Sequence, residues 1–455
     1  MKGKGFFTAV LRHRRRVLAG YAVAAVLCAV LSLLVSVNYD INDYLPPESP
    51  STIAIDVMEE AFGGGIPNVR AMVRDVTVPE ALALKQQIGR IEGVTAVTWL
   101  DDVLDITVPL EMQDPATVES YYKDGAALLT ITVADDQRAE AVAAIEALLG
   151  DKGALTGSAV STAAATHSTV VEVAQIACIA VVYVIFILAL TTRSWAEPAI
   201  VMLGMGAAIL INNGTNLLFG EISFVTSAAG SILQLAVSLD YSVFLIHRFE
   251  EVRQERPGAS PDDCMVEALT KSASSILSSG LTTVIGFAAL VLMQFQIGPD
   301  LGLALAKGVA FSLLTVFTFV PALVVTVLPW MDRTRHKPLL PGFQGFGRLV
   351  SRIMLPMVAV LVVVMVPSFL ASNANQYYYG AGHMFGADTK VGQDTQAIES
   401  VFGQSDTYVL LVPAGDTATQ SQLSSALHAL PQVTSILSYV DTAGAEIPPG
   451  YLDDA

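Results

Sequence analysis

The sequence predicts an α-helical polytopic membrane protein that carries α+β domains outside the lipid. Three observations predict it. Of 455 residues, 53% are hydrophobic and only 15% charged, with a mean hydropathy of +0.55, whereas a soluble domain is about 25% charged. Seven apolar runs reach the roughly 20 residues that a bilayer helix needs: Val17–Val37, Val170–Leu190, Ala199–Phe219, Ile222–Ile246, Ser274–Phe295, Leu301–Leu328 and Met354–Ala371. Two long polar segments, 38–167 and 372–455, follow the first and the last of these runs. The composition excludes a disordered or collagen-like chain. A formal charge of −17 argues against a nucleic-acid binder, which needs a basic face. Cys28 and Cys178 lie in apolar runs and Cys264 in a charged loop, so no disulfide or metal framework is expected.

Residues 1–37 read as a basic N-terminus and the first span. Arg12-His13-Arg14-Arg15-Arg16 resembles the start of a signal peptide. The apolar run from 17 to 37 is longer than a signal core of about 7–15 residues, and no small-x-small site follows. Leu27 precedes Cys28, where a lipoprotein signal needs a small residue, so the helix is expected to be retained. Lys2, Lys4, Arg12, Arg14, Arg15 and Arg16 predict a cytoplasmic N-terminus. Alternation then puts Arg193, the loop 247–271 and the basic linker 331–353 on the same side, and these sites hold 16 of the 25 Lys and Arg residues. The polar segments fall outside: residues 38–167 hold 21 acidic and 7 basic residues, and residues 372–455 hold 9 and 1. The predicted location is the inner membrane, multi-pass, with the large domains extracytoplasmic.

The segment 38–167 reads as an α+β domain. Val69–Val76, Pro79–Ile91 and Val94–Leu100 form one β-α-β pattern; Ala126–Val133, Asp136–Leu149 and Ala154–Val160 form another. Two such units predict a split βαβ, ferredoxin-like sandwich. Gly63-Gly64-Gly65, just before Pro67, reads as a loop. Spans two to six fill 168–330, and spans three and four are joined only by Gly220-Glu221. Span seven, 354–371, is the shortest and contains Pro356 and Pro367.

The start of the chain recurs after the sixth span. Ala61-Phe62-Gly63 returns as Val401-Phe402-Gly403, and Val94-Thr95-Ala96-Val97 as Val433-Thr434-Ser435-Ile436. The basic stretch and first span return as Arg348–Arg352 and span seven. Such duplication is common in transporters. Residues 372–455 then read as an incomplete second outer domain with one β-α-β (Tyr408–Val412, Thr419–Leu430, Val433–Val440). A complete second copy would end at roughly residue 680, so five further spans are expected beyond this sequence.

Asp240 is the only charge in span four. An intramembrane carboxylate is costly and marks a functional site by default. Desolvation is expected to bring its protonation into a usable range, so that it takes a proton from one side and releases it to the other. The bland alternative is a structural aspartate bonded to a neighbouring helix. Tyr241 either tunes that carboxyl group or packs. Span five carries Ser275, Ser278, Ser279, Thr282 and Thr283, with 275, 279 and 282 assigned to one face. These hydroxyls serve Asp240 or act as helix-packing glue. His247, two turns after Asp240, is a relay or an interfacial histidine. Lys307 is read as snorkelling near Asp300, and Asn212, Asn213 and Asn216 as a polar vestibule or as interhelical bonds. The sequence carries no Walker loop, dinucleotide fingerprint or zinc spacing. No enzyme activity, metal or cofactor is therefore expected, and an ion gradient, of protons or sodium, is the expected energy source.

The layout of one span, an outer domain, five clustered spans, a basic loop and a second span with its outer domain resembles the resistance-nodulation-division (RND) superfamily. Leu239-Asp240-Tyr241-Ser242-Val243-Phe244-Leu245-Ile246-His247-Arg248-Phe249-Glu250-Glu251 is similar to the fourth-helix signature of MMPL-type exporters. Ser278-Ser279-Gly280-Leu281-Thr282-Thr283 resembles their fifth helix, and Thr318-Phe319-Val320-Pro321-Ala322-Leu323 the end of their sixth. Spans two to six correspond to the sterol-sensing module of eukaryotic relatives. The resemblance implies porter-type outer domains and proton-driven export of lipids, drugs or other hydrophobic molecules. It implies that Asp240, Tyr241 and Ser279 form one of two proton relays, with Thr282 and His247 in support. The second Asp-Tyr pair would fall near roughly residue 580. The expected partners are membrane lipids, a hydrophobic substrate, and either the second repeat in cis or another copy of the chain. A lipid or sterol sensor on the same helices, or an accessory to protein secretion, is the alternative.

Overall fold

The computed structural model describes residues 3–39, 42–62, 66–134, 137–337, 339, 344–375, 385–404, 408–413, 416–433, 436, 438–442 and 444. In chain order, α1 (Gly3–Arg12), α2 (Arg14–Ser32), β1 (Ser36–Asn38) and α3 (Pro50–Phe62) lead into an α+β stretch. That stretch holds β2 (Val69–Val73), α4 (Val78–Ile88), β3 (Val94–Thr98), α5 (Leu100–Val103), α6 (Pro115–Tyr121), β4 (Tyr122–Lys123), β5 (Ala126–Val133), α7 (Arg138–Leu149) and β6 (Gly153–Thr156). The long helices α8 (Ser158–Thr191), α9 (Ala196–Thr215), α10 (Phe224–Glu255, preceded by β7, Glu221–Ser223), α11 (Pro261–Ala288), α12 (Ile297–Arg333) and α13 (Gln344–Asn373) follow. Last come α14 (Lys390–Phe402), α15 (Thr417–His428) and α16 (Tyr439–Thr442). Gly63-Gly64-Gly65 lies outside the described residues.

Among the described residues, seven helices are long and apolar enough to cross a membrane: Arg14–Ser32, Glu172–Thr191, Ala196–Phe219, Phe224–Glu255, Pro261–Leu292, Ile297–Arg333 and Leu349–Asn373. They answer the seven apolar runs. The first run was expected to extend to Val37, but the helix stops at Ser32, and Ser36–Asn38 pairs in parallel with Glu221–Ser223. Apolarity alone does not distinguish the end of a span from a short strand that follows it. Pro356 and Pro367 both lie inside α13, which continues through them.

The internal contacts divide the chain into two compact units, residues 1–46 with 168–376 and residues 47–167 with 377–455. In the first, the core is a helix bundle in which α12 is the most enclosed span. Its buried side chains, including Val309, Leu313, Val316 and Val320, pack with Val201 and Met205 of α9 and Leu245 and Phe249 of α10. The amphipathic helix α1 was not foreseen. Phe7, Val10 and Leu11 are buried, and Phe7 stacks on Phe317 with ring centroids 6.1 Å apart. Their i, i+3, i+4 spacing was the available signal.

The second unit is built on a sheet in the order β3-β5-β2-β6, with β4 beside β5. Every pair in it is antiparallel, with Ala71 opposite both Leu129 and Leu155. Val69, Ala71 and Val73 of β2 and Ala127, Leu129, Ile131 and Val133 of β5 point to one face, against Ala81 and Ile88 of α4 and Ala141 and Ile145 of α7. The alternate residues Met72, Ala126 and Leu128 point to the other face, where Ile398 of α14 is fully buried. Covering on both faces is why β5 reads as nearly unbroken hydrophobic sequence. The second predicted strand-helix-strand run ended at Val160, but β6 stops at Thr156. Gly157 turns the chain there at φ 126, where a Cβ would lie 2.3 Å from the carbonyl oxygen of Asn68.

Among the described residues of 377–455, the elements differ from expectation. The helix α15 is present, but 408–412 form no strand, and Tyr439 opens a short helix where the end of the strand Val433–Val440 was expected. Residues 434, 435 and 437 of the other expected strand lie outside the described ones. Tyr408 and Leu410 are 88% and 61% exposed; a strand needs ladder partners, and no described strand adjoins this run. The repeat is visible in the helices: α3 and α14 are both 13 residues long and begin at 50 and 390. The helix α14 docks through Ile398, through the Thr156–Thr395 hydroxyl pair at 2.8 Å, and through Asp394, which accepts from the Leu155 N–H at 3.3 Å. Lys390 pairs with Glu146.

Burial raises the pKa of Asp394 above the usual carboxylate value, against the pull of the Leu155 N–H and Lys390. The folded protein therefore holds this proton more tightly than the unfolded chain, and stability from this group grows as pH falls through the raised value. Asp394→Asn, which keeps an acceptor and removes the charge, should raise the midpoint of thermal unfolding at pH 7 by about 2 °C or less. It should also flatten the rise in that midpoint on acidification, as followed by scanning fluorimetry of the detergent-solubilised chain.

Candidate functional site

The helix α10 carries polar residues on two faces, and each face meets a different neighbour. Its start is set by Ser223, whose hydroxyl accepts from the Thr226 N–H at 3.1 Å. Asp300, in the first turn of α12, accepts from the Ser223 N–H at 2.8 Å and the Thr226 hydroxyl at 2.6 Å. A carboxylate at that helix start also suits the positive end of the helix dipole. Nearby Tyr44 is buried. Its phenol is held protonated, first by burial and then by the charges of Asp300, Glu221 and Asp43.

The first polar face of α10 looks onto α11. Between the two helices lies a pocket of about 580 Å³. From α10 it is lined by Val237, Asp240, Tyr241, Val243, Phe244 and His247, and from α11 by Ser275, Ile276, Ser279 and Thr283. Four of the sequence-predicted positions thus share one space: Asp240, Tyr241, His247 and Ser279. Tyr241 is 6% exposed, and its phenol reaches the Thr283 hydroxyl at 3.5 Å. Thr282 does not belong with them. Its side chain is exposed and donates to the Ser278 carbonyl at 2.8 Å. The face that lines the pocket runs 275, 279, 283, a spacing of four that the assignment of 282 missed by one position.

Asp240 was expected to be enclosed. Instead it is exposed at the bundle surface, and among the described residues it makes no hydrogen bond or ion pair. The reason is rotational: α10 buries the opposite side against α9 and α12, and Asp240 lies about 160° around the helix from Ser238 and Ser242. The pocket therefore offers a carboxyl group, a phenol, an imidazole, two serine hydroxyls and a threonine hydroxyl in one open space whose other walls are apolar. Such a set can accept, hold and pass on a proton.

The second polar face is buried, and sequence reasoning did not single it out. Gln234 bridges three helices: it accepts from Asn212 of α9 at 3.0 Å, donates to the Gly308 carbonyl of α12 at 2.9 Å and reaches the Ser312 hydroxyl at 3.2 Å. The junction needs glycine at 308, since a Cβ there would lie 2.7 Å from the Asn212 amide nitrogen. Lys307 donates to the Asn216 amide oxygen at 2.7 Å and the Asn212 carbonyl at 3.2 Å, and lies 4.7 Å from the centroid of the Phe219 ring. It is not paired with Asp300, which is engaged at the start of α10. The three asparagines of span three act as interhelical bonds, with Asn213 donating to Ser231 at 3.0 Å. At the far end, buried Glu250 pairs with Arg335 at 2.9 Å, and Glu197 is 1% exposed. The available signal was an amide and two serines at 234, 238 and 242, four residues apart in an apolar run.

These features define a multi-pass membrane protein whose helix bundle presents a carboxylate beside an open pocket between two of its long apolar helices. The profile of the MMPL family matches residues 43–365, well over half of the sequence, and the chain belongs to that family. It is 30% identical over 139 residues to a protein of Methanocaldococcus jannaschii named as a membrane protein, covering 30% of this chain and 34% of that one. It is 22% identical over 386 residues to YdgH of Bacillus subtilis, also named as a membrane protein, covering 79% and 43%. It is 23% identical over 269 residues to the mycolic acid-containing lipids exporter MmpL11 of Mycolicibacterium smegmatis, covering 56% and 27%. The chain spans less than half the length of each of these relatives.

Gln234→Leu would leave the Asn212 amide without its partner inside the bundle, while the Gly308 carbonyl keeps its bond from the Ser312 hydroxyl at 3.0 Å. It should cost about 1–3 kcal/mol for the stranded amide. Tyr241→Phe removes only a long hydrogen bond and should stay within about 0.5 kcal/mol. Thermal unfolding of both variants in one detergent checks the contrast.

Proposed function

We propose that this chain forms part of a transporter that exports lipids, drugs or other hydrophobic molecules across the cytoplasmic membrane, driven by the proton-motive force. The observation that carries the reading is Asp240, the one carboxylate facing the pocket between α10 and α11, together with His247 two turns further on. In this reading Asp240 takes up and releases the proton. Tyr241 and Ser279 set its hydrogen bonding, and Thr283 does so in place of Thr282. His247 extends the path toward the cytoplasmic end of α10. No metal or organic cofactor takes part.

The basic N-terminus, loop and linker support a cytoplasmic placement for one side of the bundle, and the acidity of 38–167 and 372–455 supports extracytoplasmic outer domains. The β3-β5-β2-β6 order with helices α4 and α7 on one face supports a ferredoxin-like, porter-type sandwich. The lipid-exporting relative supports a lipid as cargo. The exposed side of Asp240 supports a further partner at that face, either a second repeat in cis or another copy of the chain.

The test is Asp240→Asn in the protein carrying this chain, assayed in inverted membrane vesicles. Export should fall to the level of vesicles treated with a protonophore, while membrane insertion and the thermal midpoint are kept. Undiminished export in the variant rejects the role of Asp240. Export by the unmodified protein that survives collapse of the gradient rejects proton coupling.

A further inference from the structure

Behind Asp240, on the opposite side of α10, lies a seam of polar side chains between α9, α10 and α12. It runs from Lys307 through Asn212, Gln234 and Ser312 to Ser238 and Ser242. Asn212, Gln234, Ser238, Ser242 and Ser312 are each at most 2% exposed. Among the described residues, three atoms in it, Asn212 Oδ1, Ser238 Oγ and Ser242 Oγ, make no hydrogen bond. That is unusual for hydroxyls in a helix, which can return their hydrogen to the carbonyl four residues back. Ser272 and Ser312 are equally buried and do so, at 2.7 and 3.0 Å. Ser238 and Ser242 do not. Three unmet polar atoms inside a membrane bundle would be costly if dry. Lys307 adds three N–H donors against two oxygen acceptors at the head of the seam.

We propose that this seam is a water-binding site: a short file of ordered waters held by Asn212, Ser238 and Ser242 and headed by the Lys307 ammonium. Buried water is held by polar groups left unmet by the protein, and these three atoms are such groups. From Gln234 to Ser242 the seam follows α10 for about 12 Å, a good part of a bilayer core of about 30 Å. It therefore brings water to the depth of Asp240 on the face of the helix that the pocket does not reach. Below Ser242 the file stops, because Leu245, Ile246 and Phe249 are at most 1% exposed and apolar. The seam thus reads as a closed-ended inlet entered from the Lys307 side, independent of what the protein transports.

The test uses the full chain in liposomes, with Cys28, Cys178 and Cys264 replaced by alanine. Single variants Ser238→Cys, Ser242→Cys and Leu245→Cys are exposed to aqueous silver ion, and the remaining free thiol is counted after unfolding. Silver ion travels through water and not through hydrocarbon, so the first two thiols should react more than about tenfold faster than the third. Equal rates at all three positions overturn the proposal. A second measurement decides the matter if a cysteine variant does not fold. In a wet seam Ser238→Ala and Ser242→Ala lose bonds to water and lower the thermal midpoint. In a dry one they remove a stranded hydroxyl, so an unchanged or raised midpoint overturns the proposal.

Discussion

The bonds that Gln234 makes to Asn212 and to the Gly308 carbonyl hold the bundle in one arrangement. Inside lipid the hydrophobic effect does not select between helix faces, because lipid tails are as apolar as leucine. Polar groups select instead, since each must find a partner or remain costly. One amide that satisfies α9, α10 and α12 together fixes the rotation of all three. Glycine at 308 permits the approach, and Ser312 completes the layer.

The rotation of α10 then decides the chemistry. With Gln234, Ser238 and Ser242 turned inward, Asp240 is turned outward, and Tyr241 bridges toward α11. The carboxyl group sits at the wall of a pocket shared with α11, where its surroundings depend on what lies against that face. Asp300 and Ser223 set the first turn of the same helix, so the position of Asp240 along the bundle is fixed from the helix start. At the other end, Glu250 is held by Arg335 of the linker that follows α12. The unit built on the β-sheet obeys a different rule. There, burial of alternating side chains on both faces sets the register, and α14 supplies the second cover.

Much of this was legible in the residues. Seven apolar runs announced the spans, and the β-rich runs Val69–Val76 and Ala126–Val133 announced the strands β2 and β5. A lone Asp240 in span four announced the candidate site, and Tyr241, Ser279 and His247 line the same pocket. Thr282 was misplaced because its hydroxyl and that of Thr283 are identical to a sequence reader, and a shift of one residue turns a side chain by about 100°. The strand expected at 408–412 illustrates another limit: β-propensity is a preference for a half-buried pleated surface, and it yields coil where no surface is offered.

The sequence by itself determined which segments enter the membrane, where charge lies along the chain and which carboxylate stands alone among apolar residues, because these follow from local hydropathy and composition. Only the tertiary structure decided which face of α10 is enclosed, that Lys307 is held by Asn216 and not by Asp300, and that the buried serines 238 and 242 stand without partners. Those outcomes depend on the rotation of each helix about its own axis. That rotation is set by bonds between helices far apart in the chain, on which the local pattern carries no information.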